Sequence, residues 1–409
     1  MNGHAGGGVM RKGFLFVALV IGAFLCIGGS CFGQQAKGQP IKIGGSLPLT
    51  GIYSETGKLI KEGYDFWVED VNKRGGLLGR PVVMTVYDDE SAADKAVAYY
   101  DRAITVDKVD LVFGGYPATS NVAVMPLVEK YQKVFVGMGG QMQSFEQGFT
   151  YSFASPPLMT NWVYLALQGI FNDLVPKAQW PKSMAILTMN NVIGLSGKED
   201  LIKWAEKSGI KVVVDETYNL PLGDATPLVS KAKSQAAELF ACLSMFDDAV
   251  MLTRSAQSMK YDPKMLFQLL ASSIPAWMRE MGPDGNAVIG EMWWCSKLPF
   301  PGNDRINAGA RERLKAPSAP TYFGLGYCWM KTLELAVEGA KTLDSTKIRD
   351  YLRSHKFDLP YGMGITFDKR GLPPAFVYGT QTTNGEVELI WPKNVATTKL
   401  VYPRPNWSK

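Results

Sequence analysis

Histidine is the side chain that most often acts as a general base near neutral pH, and this 409-residue chain contains only two, His4 and His355. His4 lies in the predicted N-terminal leader, so a serine or cysteine hydrolase built on a histidine base would have to use His355. His355 follows Arg353 at a predicted helix end, where a cation is a common structural choice. The chain also lacks the G-x-S-x-G pattern. We therefore predict no catalytic residue and no histidine-bearing metal cluster.

A dinucleotide-dependent enzyme is the next class to consider for a chain in which strands and helices alternate. Its G-x-G-x-x-G turn leads directly from the first strand into a helix. Residues 44–51, GGSLPLTG, have a different glycine spacing, and we expect the helix to begin only after Gly57. No Walker-type lysine motif takes the place of that turn. The sequence therefore predicts no cofactor.

An acidic run, Asp88-Asp89-Glu90, follows a predicted strand. Calcium loops arrange their oxygen ligands around a central glycine, which this run lacks. We interpret the run as a solvated turn and predict no metal, with a calcium site as the alternative.

One loop is suited to holding an anion. Residues 114–121, GGYPATSN, follow a short apolar run, bend through two glycines, and bring hydroxyl and free N–H groups to a predicted helix start. Unpaired N–H groups and the helix dipole favour an anion there by up to about 2 kcal/mol when the site is partly buried. The candidate ligand contacts in this loop are Tyr116, Ala118, Thr119 and Ser120. The alternative is that a hydroxyl of the loop only caps the helix.

The elements that position such loops begin with a strand–helix–strand unit at residues 41–87. A short apolar run ends at two glycines, and a polar loop follows. Apolar side chains then recur at positions 60, 64, 67 and 71, which is helical spacing. We expect Ser54 or Thr56 to cap this helix. Two strands joined in this way are parallel with a right-handed crossover.

The same alternation continues along the chain and predicts an α/β fold with open parallel sheets covered on both faces. Further strands are expected at 111–113, 134–136, 183–187, 211–218, 239–243 and 265–270, and late strands at 365–367, 376–383 and 388–391. A long apolar helix is expected at Thr321–Ala340. A chain of this length exceeds the size at which one core stops growing, so we expect two lobes.

Three segments carry a family resemblance: the loop ending in Thr50-Gly51, the run NKRGGLLGR at 72–80, and YDDES at 87–91. They resemble the leucine/isoleucine/valine-binding proteins of bacterial ABC importers, and the likeness in order and spacing extends from Ile41 to about Trp391. The resemblance implies a type I periplasmic-binding-protein fold, in which a three-segment hinge joins two doubly wound parallel-sheet lobes. The implied N-terminal lobe comprises 41–156 and 297–356, and the C-terminal lobe comprises 157–296 and 357–409.

The resemblance also implies which strand ends touch a ligand. The loop at 114–121 matches the one that holds the ligand carboxylate, and residues 137–141 resemble a second ligand loop. Tyr322 matches a position where the family often places an aromatic ring. The remaining implied contacts are Gly140 and Gln141 in the second loop, and Asn191, Phe246, Asp247 and Ser272 on the opposite lobe.

Two departures from the family pattern bear on the ligand. The family's amino-acid binders carry a glutamate after the strand expected at 265–270, where this chain has Ala271-Ser272-Ser273. The usual tyrosine after the strand expected at 183–187 is also absent, with Ile193 near its place. Burying an ammonium without an anionic partner costs several kcal/mol. We therefore expect a carboxylate with an apolar or aromatic body, on which an amino group helps only if Asp247 points inward.

The N-terminus has the pattern of a secretory signal. Arg11-Lys12 precedes an apolar run at 13–27 that is too short to span a membrane with its own flanks. We predict a signal peptide at 1–33 and a periplasmic protein, with lipoprotein anchoring at Cys31 as the alternative. Removing this leader changes the net charge from +5 to +3, since it carries two basic and no acidic residues. That charge is too small and too dispersed to indicate nucleic acid.

Three cysteines follow the leader: Cys242, Cys295 and Cys328. None lies in a C-x-x-C pair, which argues against zinc and thioredoxin-type sites. Each falls in an apolar segment, so we expect buried thiols. The alternative is one disulfide between two of these three cysteines, which an oxidising compartment would allow.

These observations predict a non-catalytic, extracytoplasmic solute-binding protein, expected to be a monomer. It would bind a branched-chain or hydrophobic amino acid, or a related aromatic or aliphatic carboxylate, between its lobes and deliver it to an ABC permease. Two alternatives stay open, a ligand-sensing receptor module and an α/β enzyme.

Overall fold

The computed structural model describes residue 1 and residues 36–139, 142–155, 161–269, 271–274 and 276–408, apart from the side chains of residues 142 and 143. The predicted signal peptide beyond Met1 and the alternative lipid anchor at Cys31 lie outside the described residues. Gly140 and Gln141 of the predicted second ligand loop lie outside them as well.

Strands and helices alternate through most of the chain. The strands are β1 (Ile41–Leu47), β2 (Val82–Asp88), β3 (Leu111–Val112), β4 (Phe135–Gly137), β5 (Ser152–Ala154), β6 (Ser183–Met189), β7 (Lys211–Tyr218), β8 (Leu239–Leu243), β9 (Met265–Gln268), β10 (Ile289–Met292), β11 (Phe357–Leu359), β12 (Gly362–Ile365), β13 (Tyr378–Thr383) and β14 (Glu386–Trp391). The helices are α1 (Ser54–Lys73), α2 (Ala93–Thr105), α3 (Ala118–Lys130), α4 (Met142–Phe145), α5 (Trp162–Leu174), α6 (Val192–Ser208), α7 (Thr226–Ser234), α8 (Phe246–Ser258), α9 (Ala276–Met281), α10 (Asn303–Leu314), α11 (Thr321–Ala340) and α12 (Ser345–Ser354). Short 3-10 turns lie at Lys177–Gln179, Ala271–Ser273 and Gly282–Gly285.

The strands build one main sheet in each lobe. The first sheet has the order β2-β1-β3 and is parallel, with Ile43 opposite both Met84 and Leu111. The second has seven strands in the order β14-β13-β10-β9-β8-β6-β7. It is parallel from β10 to β7, and the late strands β13 and β14 extend it in antiparallel pairs. The predicted α/β class with two parallel-sheet lobes is confirmed.

Helices α1 and α11 pack along each other in the first lobe. The predicted stripe Ile60, Tyr64, Trp67 and Val71 is fully buried. Burying each large apolar side chain stabilises the fold by about 1.5–3 kcal/mol. The helices approach closely, because a Cβ atom on Gly63 would lie only 2.2 Å from the Phe323 carbonyl oxygen.

Ion pairs hold the ends of this helix pair in register. The Arg74 guanidinium donates two hydrogen bonds to the Glu334 carboxylate, each at 3.0 Å, and the Trp67 indole N–H donates to the same group at 2.8 Å. A bidentate pair of this kind fixes orientation as well as distance. It keeps the start of α11, which carries Tyr322, at a set position on the first lobe.

Three local predictions were wrong. Helix α1 begins at Ser54, so Gly57 lies inside it, and neither Ser54 nor Thr56 caps it by a side-chain hydrogen bond. The preceding loop is held from a neighbouring strand end instead. The late strand expected at 365–367 is the second arm of the β11–β12 hairpin and ends at Ile365. Strands β5, β10 and β11 were not predicted, because segments of three or four residues are too short to show a period.

Among the described residues, none of the helices combines the length and the apolar character that crossing a bilayer requires.

Candidate functional site

A cavity lies between the two lobes at the carboxyl ends of the strands, where open α/β sheets bind ligands. It measures about 750 Å³ when the space that opens to solvent is included. The first lobe lines it with residues 51–56, Tyr116 and Tyr322, and the second lobe with residues 220–221, residues 245–248 and Ile274. A molecule held in this cavity would touch both lobes at once.

The loop at residues 51–56 is held in place by the acidic run after β2. The Leu49 N–H and the Thr50 hydroxyl donate to the Asp88 carboxylate, both at 2.9 Å. Ser91 Oγ accepts from the Tyr53 N–H at 3.1 Å and donates to the Thr50 carbonyl at 2.8 Å. Partial burial would raise the pKa of Asp88, but the hydrogen bonds that its carboxylate accepts together lower that pKa.

The acidic run is therefore an anchor for the cleft loop. The interpretation of the run as a solvated turn was wrong for Asp89, which is only 1% exposed and accepts from Ser46 Oγ at 2.8 Å. Burial raises the pKa of Asp89 to about 6, an effect that the hydrogen bond from Ser46 partly offsets. Asp89 also accepts from the N–H group of Ser91 at 3.2 Å, and Ser91 in turn bonds to the cleft loop.

Three tyrosine rings form the first-lobe side of the cavity. The Tyr116 ring meets the edge of Tyr53 with ring centres 5.9 Å apart, and it meets Tyr322 at 5.6 Å. Burial raises the pKa of Tyr116 and Tyr322, so both phenols are neutral. Edge-to-face contacts of this type fix ring orientation beyond what burial alone does.

The start of α8 forms the opposite wall, because it follows the buried strand β8. Phe246 is half-buried and Asp247 is exposed, whereas Asp248 is only 3% exposed. Asp248 Oδ1 accepts from the Leu222 N–H at 3.1 Å, and Oδ2 has no hydrogen-bond partner among the described residues. The Tyr218 hydroxyl lies beside Asp248 but donates its hydrogen to Ser244 Oγ at 2.8 Å.

Comparison with known proteins bears on this geometry. The family model described as "Periplasmic binding protein" matches residues 40–386 of this chain. The chain belongs to the periplasmic binding protein family. It is 23% identical over 386 residues to the leucine-, isoleucine-, valine-, threonine-, and alanine-binding protein of Pseudomonas aeruginosa, which covers 89% of this chain and 93% of that protein.

Two solved structures of similar proteins share the fold of this periplasmic binding protein. A leucine binding protein from Thermotoga maritima superposes with a TM-score of 0.73 at 19% identity, covering 86% of this chain and 97% of the other. A solute binding protein of an ABC transporter from R. palustris, solved in complex with benzoate, gives a TM-score of 0.74 at 16% identity, with 91% and 98% covered.

Four of the residues predicted to contact a ligand in this periplasmic binding protein line the cavity: Tyr116, Phe246, Asp247 and Tyr322. Ala118, Thr119 and Ser120 open helix α3 directly behind Tyr116 and are not part of the lining. No hydroxyl of this loop caps α3, whose cap residue is Pro117. Contact of these residues with a ligand stays a prediction.

Asn191 and Ser272 occupy two further strand ends. Asn191 caps α6, since its Oδ1 accepts from the Gly194 N–H at 2.9 Å. Burial raises the pKa of Tyr53, and the Asn191 side chain partly offsets that rise. Ser272 lies in a neighbouring cavity of about 650 Å³ that shares Ile274 with the first. Contact of Asn191 and Ser272 with a ligand stays a prediction.

The sequence analysis of this periplasmic binding protein missed Tyr53 and Asp248. The polar loop after β1 was noted only as a possible helix cap, although loops on a rigid scaffold often carry binding residues. Both members of the Asp247-Asp248 pair line the cavity, but only the exposed Asp247 was chosen, whereas the buried member is Asp248.

A second buried acid lies near the start of α11. Glu291 on β10 is 1% exposed, and neither of its carboxylate oxygens has a hydrogen-bond partner among the described residues. Burial raises the pKa of Glu291, and the nearby carboxyl of Asp200 adds to the rise. Glu291 does not belong to the lining of the cavity between the lobes.

The other reactive side chains lie apart from the cavity. His355 stacks on Tyr351 with ring centres 3.7 Å apart at the end of α12, which agrees with the structural role predicted for it. Cys242, Cys295 and Cys328 are buried free thiols, as predicted. Within the described part of the chain, no cluster of three or more histidine, cysteine, aspartate or glutamate side chains could hold a metal ion.

Proposed function

We propose that this protein is the extracytoplasmic solute-binding component of an ABC importer, and that it clamps a small organic solute between its lobes. The observation that carries the proposal is the cavity between the lobes, which both of them line. A ligand bound by both lobes favours the closed arrangement, because it contacts that arrangement more extensively than an open one. The solute classes proposed are hydrophobic amino acids and related aromatic or aliphatic carboxylates.

Several parts of the proposal rest on the sequence. The signal peptide at 1–33 would direct export to the periplasm, and the chain would cross between the lobes near 156–157, 295–301 and 359–362. The protein would act as a monomer without turnover. The family match and the names of the relatives support the importer role. N-terminal sequencing of the exported protein tests the cleavage position, and mass spectrometry of recovered ligand tests turnover.

The decisive experiment is small-angle scattering on the mature protein with solutes selected by a thermal-shift screen. A solute at about 100 times its dissociation constant adds roughly 2.7 kcal/mol to the free energy of unfolding, which the screen detects. We expect a smaller radius of gyration with ligand than without it. Phe246→Ala should weaken binding and compaction, whereas Val106→Ala, at an exposed position outside the cavity, should change neither. An unchanged scattering profile at saturating ligand would contradict the clamp.

A further inference from the structure

We propose that the ligand recognised in this cleft carries a cationic nitrogen, and that a carboxylate on the ligand is not required for binding. The inference rests on the proposed function, in that it takes the cavity between the lobes to be the ligand site. It narrows the proposed solute classes to those with a cationic nitrogen, and it reverses the expectation from sequence that the ligand carries a carboxylate and that its amino group is optional.

The charges that line the cavity all have one sign. Glu55, Asp247 and Asp248 contribute carboxyl groups, and no lysine, arginine or histidine belongs to the described residues of the lining. The internal residues outside the description (140–141, 156–160, 270 and 275) include no charged side chain in the sequence. A cleft with one sign of charge and low-dielectric walls concentrates ligands of the opposite sign.

Among these three acids, Asp248 is the one that we expect to bind the cationic nitrogen directly. It is 3% exposed and belongs to the lining of the cavity, and its buried Oδ2 has no hydrogen-bond partner among the described residues. The neighbouring Tyr218 hydroxyl donates its hydrogen bond to Ser244 Oγ at 2.8 Å. A buried acceptor without a partner is costly, and a ligand N–H group would supply the missing hydrogen bond together with the opposite charge. The exposed Glu55 and Asp247 lie at the rim, where they would attract a cation before it enters.

Aromatic rings provide the second half of a cation site. Tyr53, Tyr116 and Tyr322 line the cavity from the first lobe, and Phe246 lines it from the second. The negative face of an aromatic ring attracts an ammonium group, and sets of such rings are used to recognise organic ammonium ligands. Because the rings belong to both lobes, closure would complete the aromatic surround of the cation.

The N–H and hydroxyl donors at the start of α3 do not offset the negative charge of these acids in the cavity. The first residues of α3, Ala118 to Ser120, do not belong to the lining of the cavity. The phenol groups of Tyr116 and Tyr322, which do line the cavity, are neutral because burial raises the pKa of both. A ligand with only a carboxylate would therefore face three acids without a paired base in the cleft.

The test is calorimetry on the mature protein with matched ligands that share one body and differ in charge. The series are 2-phenylethylamine, phenylalanine and 3-phenylpropionate, and then isopentylamine, leucine and 4-methylpentanoate. In at least one series, we expect the amine to bind tenfold or more tightly than the acid, and within threefold of the amino acid. Acids that bind as tightly as their amines would overturn the inference.

Variants distinguish the effect of the Asp248 charge on binding from an effect on folding. Asp248→Asn keeps an acceptor for the Leu222 N–H, and we expect it to weaken amine binding at least tenfold while leaving the acid unchanged or tighter. Phe246→Leu removes one ring without changing charge and should weaken amine binding three- to tenfold. Glu199→Gln, at an exposed position of α6 outside the lining, is the matched control for a lost carboxylate. Amine binding that survives Asp248→Asn would also overturn the inference.

The outcomes distinguish the inference from the function on which it rests. If carboxylates bind and compact the protein while amines do not, the inference fails and the solute-binding function stands. If no solute of either class, and none from a wider screen, binds or compacts the protein, the proposed function fails and the inference with it.

Discussion

Thr50 Oγ1 donates a hydrogen bond to Asp88 Oδ2 at 2.9 Å, and this contact ties the cleft loop to the end of β2. Asp88 also accepts from the N–H groups of Leu49 and Glu90, both at 2.9 Å. One carboxylate thus sets the entry to α1 and the position of Tyr53. The anchor belongs to the same YDDES segment that carries the family resemblance.

Replacing Asp88 should loosen this anchor. We expect Asp88→Ala to lower the free energy of unfolding by about 1–3 kcal/mol, because several donors lose their acceptor. It should also weaken ligand binding, since Tyr53 is no longer held at the cavity. Urea denaturation and calorimetry measure the two effects. Glu199→Ala is the exposed control and should change stability by less than about 0.5 kcal/mol. An Asp88→Ala protein as stable as the control would contradict the anchoring role.

The pH dependence of ligand affinity should follow Asp248. Burial raises its pKa, and the neighbouring carboxylate of Asp247 adds to the rise, while the hydrogen bond from the Leu222 N–H and the nearby Tyr218 hydroxyl act in the opposite direction. A cationic ligand pairs with the ionised form, so binding releases a proton below the raised pKa. Affinity for the amine probe should therefore increase with pH, by up to about tenfold per unit, and level off above that pKa.

Calorimetry between pH 5 and 8 in buffers of different ionisation enthalpy measures both the affinity and the released proton. In Asp248→Asn the release should disappear and the affinity curve should become flat. An affinity that falls as pH rises would instead indicate that the protonated carboxyl is the binding form.

Protein stability should respond to pH through Asp89. Burial raises the pKa of Asp89 from 3.8 to about 6 in the folded state. Between these values the folded protein binds a proton that the unfolded chain has lost, so stability falls as pH rises through this window. We expect Asp89→Asn to raise the melting temperature at pH 7.5 and to reduce the difference between pH 4.5 and pH 7.5.

Asp200 should act with the same sign, because burial also raises its pKa to about 6. Asp89→Asn should therefore leave part of the pH dependence, and adding Asp200→Asn should remove more of it. Equal losses of melting temperature at both pH values would show that the Asp89 side chain acts only through packing.

The close approach of α1 and α11 gives a packing prediction. A Cβ atom on Gly63 would lie 2.2 Å from the Phe323 carbonyl oxygen, which is backbone and moves only with its helix. We expect Gly63→Ala to lower the free energy of unfolding by about 1–3 kcal/mol. Gly223→Ala is the control, since its Cβ would meet no atom within 4 Å. Denaturant unfolding of both variants measures the difference, and equal stabilities would contradict the packing.

Sequence periodicity was sufficient to predict the elements that bury a continuous stripe. The positions 60, 64, 67 and 71 predicted α1, and the apolar run at Thr321–Ala340 matched the bounds of α11. These patterns are local, because a buried face repeats with the helix turn itself. The start of α1 was predicted wrongly, since the residues that fix it are Asp88 and Ser91, far along the chain.

The sequence also predicted at which strand ends the cavity between the lobes would form. Ligand-binding residues were expected at strand ends, and Tyr116, Phe246, Asp247 and Tyr322 all line the cavity, because parallel strands bring their carboxyl ends to one edge. Which neighbour faces inward was decided only by tertiary structure. Successive residues at a helix start point about 100° apart, so the rotation of α8 against its sheet exposes Asp247 and buries Asp248. That rotation is set by packing between distant segments, and it places Asp248 in the wall of the cleft and Asp247 at its rim.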